Sequence, residues 1–147
     1  KIISILTGDF LSPYLLSSID RGRGMMEALV ETPLDYVIWG NHEADIDHET
    51  TCQHVKYFHE RGGIWINSNM TSHNAMEFQK DYDVVEVGNR KIGLVAVLSN
   101  DPALYAPNAF GGAKIDDPWE TLAKYKTYLE EDQGCDVVLP CEHLYVP

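Results

Sequence analysis

Three short apolar runs, each stopped by glycine or proline and followed by polar side chains, constrain this chain more than any other feature. Ile2, Ile3, Ile5 and Leu6 form a nearly continuous, β-branched run ended by Gly8-Asp9. Tyr36-Val37-Ile38-Trp39 is stopped by Gly40, and Asn41-His42-Glu43 follows at once. Cys135 to Leu139 ends at Pro140, with Glu142-His143 just beyond. Runs this short and this apolar are expected as strands covered on both faces.

The segments between them carry helical spacing. Leu16, Ile19, Met26, Leu29 and Val30 mark a helix over Leu15 to Val30, although Gly22 and Gly24 weaken its first part. Cys52, Val55, Phe58 and His59 mark one face of a second helix, closed by Gly62-Gly63. Ile64 to Ile66 is a further strand, and Asp83 to Val87 with Lys91 to Leu98 flank Gly88-Asn89-Arg90 as a hairpin. Asp117-Pro118-Trp119-Glu120 has an N-cap acid and a proline at the first helical position, so a helix is expected to run from there to about Asp132. Asn100 to Lys114 lacks periodicity and is expected as a long loop. The order β, α, β, α, β, hairpin, α, β contains no repeat and implies a layered α/β domain.

Composition narrows the function. With 147 residues and 44% hydrophobic content the chain makes about one domain with a real core. Its net charge of −12 repels phosphate backbones, so a nucleic-acid surface is not expected. Three cysteines are too few and too irregular for a disulfide framework or a zinc ribbon. No stretch approaches the roughly 20 apolar residues that span a bilayer. The apolar start at Lys1 to Leu6 and the end at Val146-Pro147 suggest a piece of a longer protein.

In open α/β sheets chemistry gathers beyond the carboxyl ends of strands, and the three polar clusters each follow a strand. Asp9, Asn41 and His143 supply a carboxylate, an amide oxygen and an imidazole, a donor set suited to a hard or borderline divalent metal. His42, beside Asn41, suits a proton donor to a leaving oxygen, and Asp45 could hold its imidazole in the right tautomer.

GDFLSP at 8 to 13, GNHEAD at 40 to 45 and the histidine of CEHLYVP at 141 to 147 resemble successive blocks of the calcineurin-like metallophosphoesterase superfamily. The Gly-Asn-His-Glu-x-Asp form is similar to its 5′-nucleotidase branch. The resemblance covers essentially the whole chain. It implies an α/β sandwich of two mixed β-sheets flanked by helices, with two divalent ions (manganese, zinc, iron or cobalt, magnesium less favoured) and a phosphate-ester substrate, a nucleotide. By it, Asp9 matches the aspartate bridging both metals, Asn41 and His143 match ligands of the second metal, and Asn41 also meets the phosphate. His42 matches the catalytic histidine, which contacts substrate, and Asp45 the acid paired with it. Glu43 belongs to the motif without an assigned role. In this branch a separate C-terminal domain holds the nucleoside.

Two blocks of the family pattern have no counterpart here: an Asp-x-His before the Gly-Asp block and a Gly-His-x-His after the lone histidine. Residues 1–147 are therefore expected to be a partial catalytic domain with about half of a dimetal site, inactive by itself. The alternative is a degenerate domain of the same fold, kept as a non-catalytic interaction or structural module, and a protein partner is left open. The remaining histidines stay outside the expected site: His48 as a solvated loop residue, His54 and His59 on a helix, His73 in a polar loop. Asp45-x-Asp47-x-Glu49 is no calcium loop, because Thr50 stands where the turn needs glycine and Lys56 where the last glutamate belongs. Asn69-Met70-Thr71 is a sequon with chance as its larger prior. Ser12 has no visible acid-base partner.

Overall fold

Side-chain alternation along the strands sorts the interior into three apolar layers. The computed structural model describes residues 2–144; Lys1 and the end of the chain at Tyr145-Val146-Pro147 lie outside the described residues. Strands β1 (Ile5–Thr7), β2 (Tyr36–Ile38), β3 (Ile64–Ile66) and β4 (Gln79–Lys80) form one sheet in that order, parallel throughout. Strands β5 (Tyr82–Val87), β6 (Arg90–Leu98) and β7 (Val137–His143) form a second, mixed sheet.

Tyr36, Ile38 and Ile66 of the first sheet meet Val85, Leu94, Ala96 and Cys141 of the second, so the two sheets pack face to face. Val37, Trp39 and Trp65 point the other way, onto Met26 and Leu29 of α2 (Arg23–Val30) and Val55 and Phe58 of α3 (His48–Glu60). Val95 joins Tyr125 and Leu129 of α4 (Pro118–Glu131) on the far side of the second sheet. The result is a helix-sheet-sheet-helix sandwich, as the motifs imply. Covering on both faces explains why β2 is buried at every position.

Four local features depart from the sequence reading. The helix over Leu15 to Val30 is two: α1 (Ser17–Asp20) and α2, with Arg21 (φ 53°) and Gly22 (φ 85°) left-handed between them. The Asp20 carboxylate takes the N–H groups of Gly22 and Gly24, each at 3.0 Å, and so fixes the break. Helix α3 begins at His48, one turn before Cys52, because Asp47 caps it by accepting the Thr50 N–H at 3.0 Å. Strand β7 runs through Pro140 rather than ending there; it pairs only with β6 among the described residues, and an edge tolerates a missing N–H. The two-residue β4 has no apolar run to announce it. No helix among the described residues is long and apolar enough to cross a membrane.

Candidate metal and phosphate site

Strands β1 and β2 are parallel neighbours, so their carboxyl ends lie side by side, and β7 of the second sheet ends against them. The sheets are joined there by His143, whose Nδ1–H donates to the Thr7 carbonyl at 2.7 Å. That bond fixes the tautomer and leaves the Nε2 lone pair facing Asn41 Oδ1 at 3.1 Å and Asp9 Oδ2 at 3.3 Å. With bonds of about 2.1 Å, neighbouring ligands of one cation stand about 3.0 Å apart in an octahedron and about 3.4 Å apart in a tetrahedron. Both oxygens stand at that spacing from His143 Nε2. A nitrogen lone pair and two oxygens converge with no hydrogen between them, an arrangement relieved by a proton or a cation on Nε2. The donor set therefore fits a divalent metal of borderline character.

The other oxygen of Asp9, Oδ1, accepts the backbone N–H of His42 at 3.0 Å, which holds the carboxylate in place. Asp9 itself is left-handed (φ 56°), as is Gly8 (φ 81°), so the chain reverses sharply at the strand end and turns the carboxylate toward Asn41 and His143. His42 and Asp45 lie on one 3₁₀ turn, His42–Asp45, with His42 Nδ1 2.8 Å from Asp45 Oδ2. The Asp45 carboxylate on Nδ1 raises the His42 pKa above its usual value; partial burial opposes this, and the charges of Asp9, Asp45 and Glu43 add to it. His42 is thus biased toward the charged form, with Nε2–H as the proton it can give.

Two residues outside the expected site complete it. Glu43 is fully buried, and its carboxylate accepts four backbone N–H groups: Asp9 at 2.9 Å and Gly40 at 2.7 Å on Oε2, Phe10 at 2.7 Å and Leu11 at 3.0 Å on Oε1. Burial pushes its pKa up while the four donors pull it down. Glu43 clamps the loop after β1 to the loop after β2. Those loops touch backbone to backbone: a Cβ on Gly8 would stand 2.5 Å from Gly40 Cα, and one on Gly40 would collide with Asp9 N and Oδ1. Ser12, which showed no partner in the sequence, donates to Asp45 Oδ2 at 3.0 Å and shares that oxygen with His42. The glycines at two adjacent strand ends were the only sequence signal for the clamp.

The structure brings Asp9, Asn41, His42, Asp45 and His143 together through contacts of 2.8 to 3.3 Å. It moves His48 from where the sequence put it: His48 opens α3 beside Cys52 and His73, while His73 lies in a loop, as expected, but is 2% exposed. His54 donates Nε2–H to the Arg21 carbonyl at 2.7 Å, and His59 stacks near Phe78.

No family model matches the sequence, and no curated protein matches it either. Solved structures do. A Staphylococcus aureus protein described as a 5′-nucleotidase, in complex with alpha-ketoglutarate, is 15% identical with a TM-score of 0.79, over 96% of this chain and 28% of that one. A 5′-nucleotidase precursor from Thermus thermophilus is 19% identical with a TM-score of 0.76, over 97% and 28%. The NAD nucleotidase of Haemophilus influenzae is 18% identical with a TM-score of 0.75, over 96% and 25%. This chain thus has the fold of part of each, and spans about a quarter of their length.

Proposed function

We propose that residues 1–147 are the core of a metallophosphoesterase catalytic domain whose parent protein hydrolyses a phosphate ester, a nucleotide. The observation that carries this reading is the convergence of His143 Nε2, Asn41 Oδ1 and Asp9 Oδ2 at cation-ligand spacing. The fold shared with 5′-nucleotidases and a NAD nucleotidase supports the substrate class. Two divalent cations, from manganese, zinc, iron or cobalt, would polarise the ester and activate a water nucleophile. Asp9, Asn41 and His143 would hold them from this chain, and the remaining ligands would come from segments outside residues 1–147, so this piece alone is inactive.

In that reaction Asn41 would bind both metal and phosphate, and His42 would give its Nε2 proton to the leaving oxygen. Asp45 steadies the resulting imidazole, and Ser12 keeps Asp45 aimed. Two dications held there would dominate the local field, so the net charge of −12 does not exclude an anionic substrate.

The test uses the full-length natural protein and the release of phosphate from AMP with manganese. Asp9→Asn, which removes the shared carboxylate, should lower turnover by at least about a hundredfold. Unchanged turnover, or a natural protein without Asp-x-His and Gly-His-x-His blocks on either side of this segment, would end the proposal.

A further inference from the structure

Beside Trp39, whose ring meets that of His73, one nitrogen each of His48 and His73 and the sulfur of Cys52 lie within 4.8 Å of one another. His48 and Cys52 are one helical turn apart at the start of α3, with Nε2 to Sγ 3.6 Å. For a tetrahedral cation with bonds of about 2.0 Å to nitrogen and 2.3 Å to sulfur, that edge is about 3.5 Å long. The His48 ring is held there by the chain reversal at Gly111 (φ 66°), whose backbone lies so close that any Cβ would strike the imidazole.

His73 is the third member of the cluster. Trp39 Nε1–H donates to Gln79 Oε1 at 2.8 Å, which orients that amide so that its NH₂ donates to His73 Nδ1 at 3.2 Å. The Ala75 N–H donates to the same Nδ1, also at 3.2 Å. Nδ1 is therefore an acceptor, and the ring proton sits on Nε2. That Nε2–H is buried and has no partner among the described residues. A buried donor without an acceptor is destabilising, and a thiol is a weak acceptor where a thiolate is a strong one.

We propose that His48 and Cys52 form a second cation site, for a thiophilic divalent ion such as zinc, with His73 donating its Nε2–H to the bound thiolate. A cavity of about 500 Å³ opens beside the pair, lined also by Glu49 and Glu77, and solvent there would supply the remaining ligands. Burial pushes the Cys52 thiol up, so the thiolate forms with the cation: the S–H bond breaks, the sulfur–metal bond forms, and the proton leaves to solvent. Burial holds His73 near a pKa of about 4, with His48 adding to the effect, so its ring brings no positive charge to the ion. Asp9, Asn41 and His143 contain no sulfur, which makes the two sites separable by spectroscopy.

The experiment is a cobalt(II) titration of the metal-stripped full-length protein, read by the near-ultraviolet thiolate-to-cobalt charge-transfer band. The band should appear with one equivalent per chain at this site, vanish in Cys52→Ser, and persist in Asp9→Asn. His48→Asn should weaken cobalt binding by more than about tenfold, and His73→Phe, which keeps the ring but removes the donor, by about 10–100-fold. Near-ultraviolet circular dichroism checks that each variant is folded. A folded wild-type protein without the band, a band surviving Cys52→Ser, or His48→Asn and His73→Phe variants that bind as the wild type does would each overturn the proposal.

Discussion

Replacing Glu43 by glutamine should test whether its carboxylate clamps the loops after β1 and β2 together. The substitution keeps the shape and one acceptor oxygen, but it turns an NH₂ group toward two backbone N–H donors. Whichever way the amide sits, either Asp9 and Gly40 or Phe10 and Leu11 lose their acceptor. Two buried N–H groups without partners cost about 2–6 kcal/mol together. Part of that is returned, since the neutral amide avoids the desolvation that raises the Glu43 pKa. The net expectation is a loss of about 2–4 kcal/mol, a large part of the roughly 5–15 kcal/mol available to a domain. Urea unfolding followed by tryptophan fluorescence measures it, because Trp39 and Trp65 stack with centroids 4.5 Å apart in the layer under the clamp. Glu60→Gln, on the exposed end of α3, is the control and should change stability by less than about 0.5 kcal/mol. An unfolding midpoint for Glu43→Gln as close to wild type as the control's would refute the clamp.

Two further outcomes follow from the same loops. Gly40→Ala places a methyl group against Asp9 backbone and carboxylate, so it should cost at least about 2 kcal/mol, read as a fall in thermal midpoint, and weaken metal uptake with it. A midpoint equal to wild type would mean that the two loops do not touch as described. In chelated protein the His42 ring should titrate above the usual histidine range by NMR and return toward it in Asp45→Asn. Because the folded pKa is the raised one, the stabilisation from this pair is fully present below the unfolded value of about 6.5 and is lost as pH rises through the folded value. With 40% and 50% of these side chains exposed, it amounts to well under about 1 kcal/mol. A His42 titration indifferent to Asp45→Asn would break the pairing.

The layered fold was legible because its strands are short, apolar and punctuated. Covering on both faces leaves no room for polar residues in β2, and that is a pattern a sequence displays. What was hidden depended on contacts across many residues. Asp47 as the cap of α3 looked like one more acid in an acidic stretch. The break between α1 and α2 needed the Asp20 carboxylate on Gly22 and Gly24 as well as the glycines themselves. Besides Gly40 three positions before it, Glu43 acts on Asp9, Phe10 and Leu11, 32 to 34 positions away, and Ser12 on Asp45, 33 positions away, distances at which spacing carries no information.

The two histidines of opposite tautomer show most clearly where residue type stops being informative. His143 Nδ1 faces a carbonyl and must carry the proton, so Nε2 offers a lone pair to a cation. His73 Nδ1 faces two N–H donors and must be bare, so Nε2 offers a proton to an anion or a metal-bound thiolate. Both are imidazoles beside acidic or soft ligands, and in the sequence nothing but the neighbouring motif distinguishes them. The choice is made by a backbone carbonyl at Thr7 in one case and by Ala75 with the Trp39-to-Gln79 relay in the other. Exchanging those partners would exchange the roles: without the Gln79 and Ala75 donors His73 could become a ligand, and without the Thr7 carbonyl His143 would lose the bond that keeps its Nε2 bare.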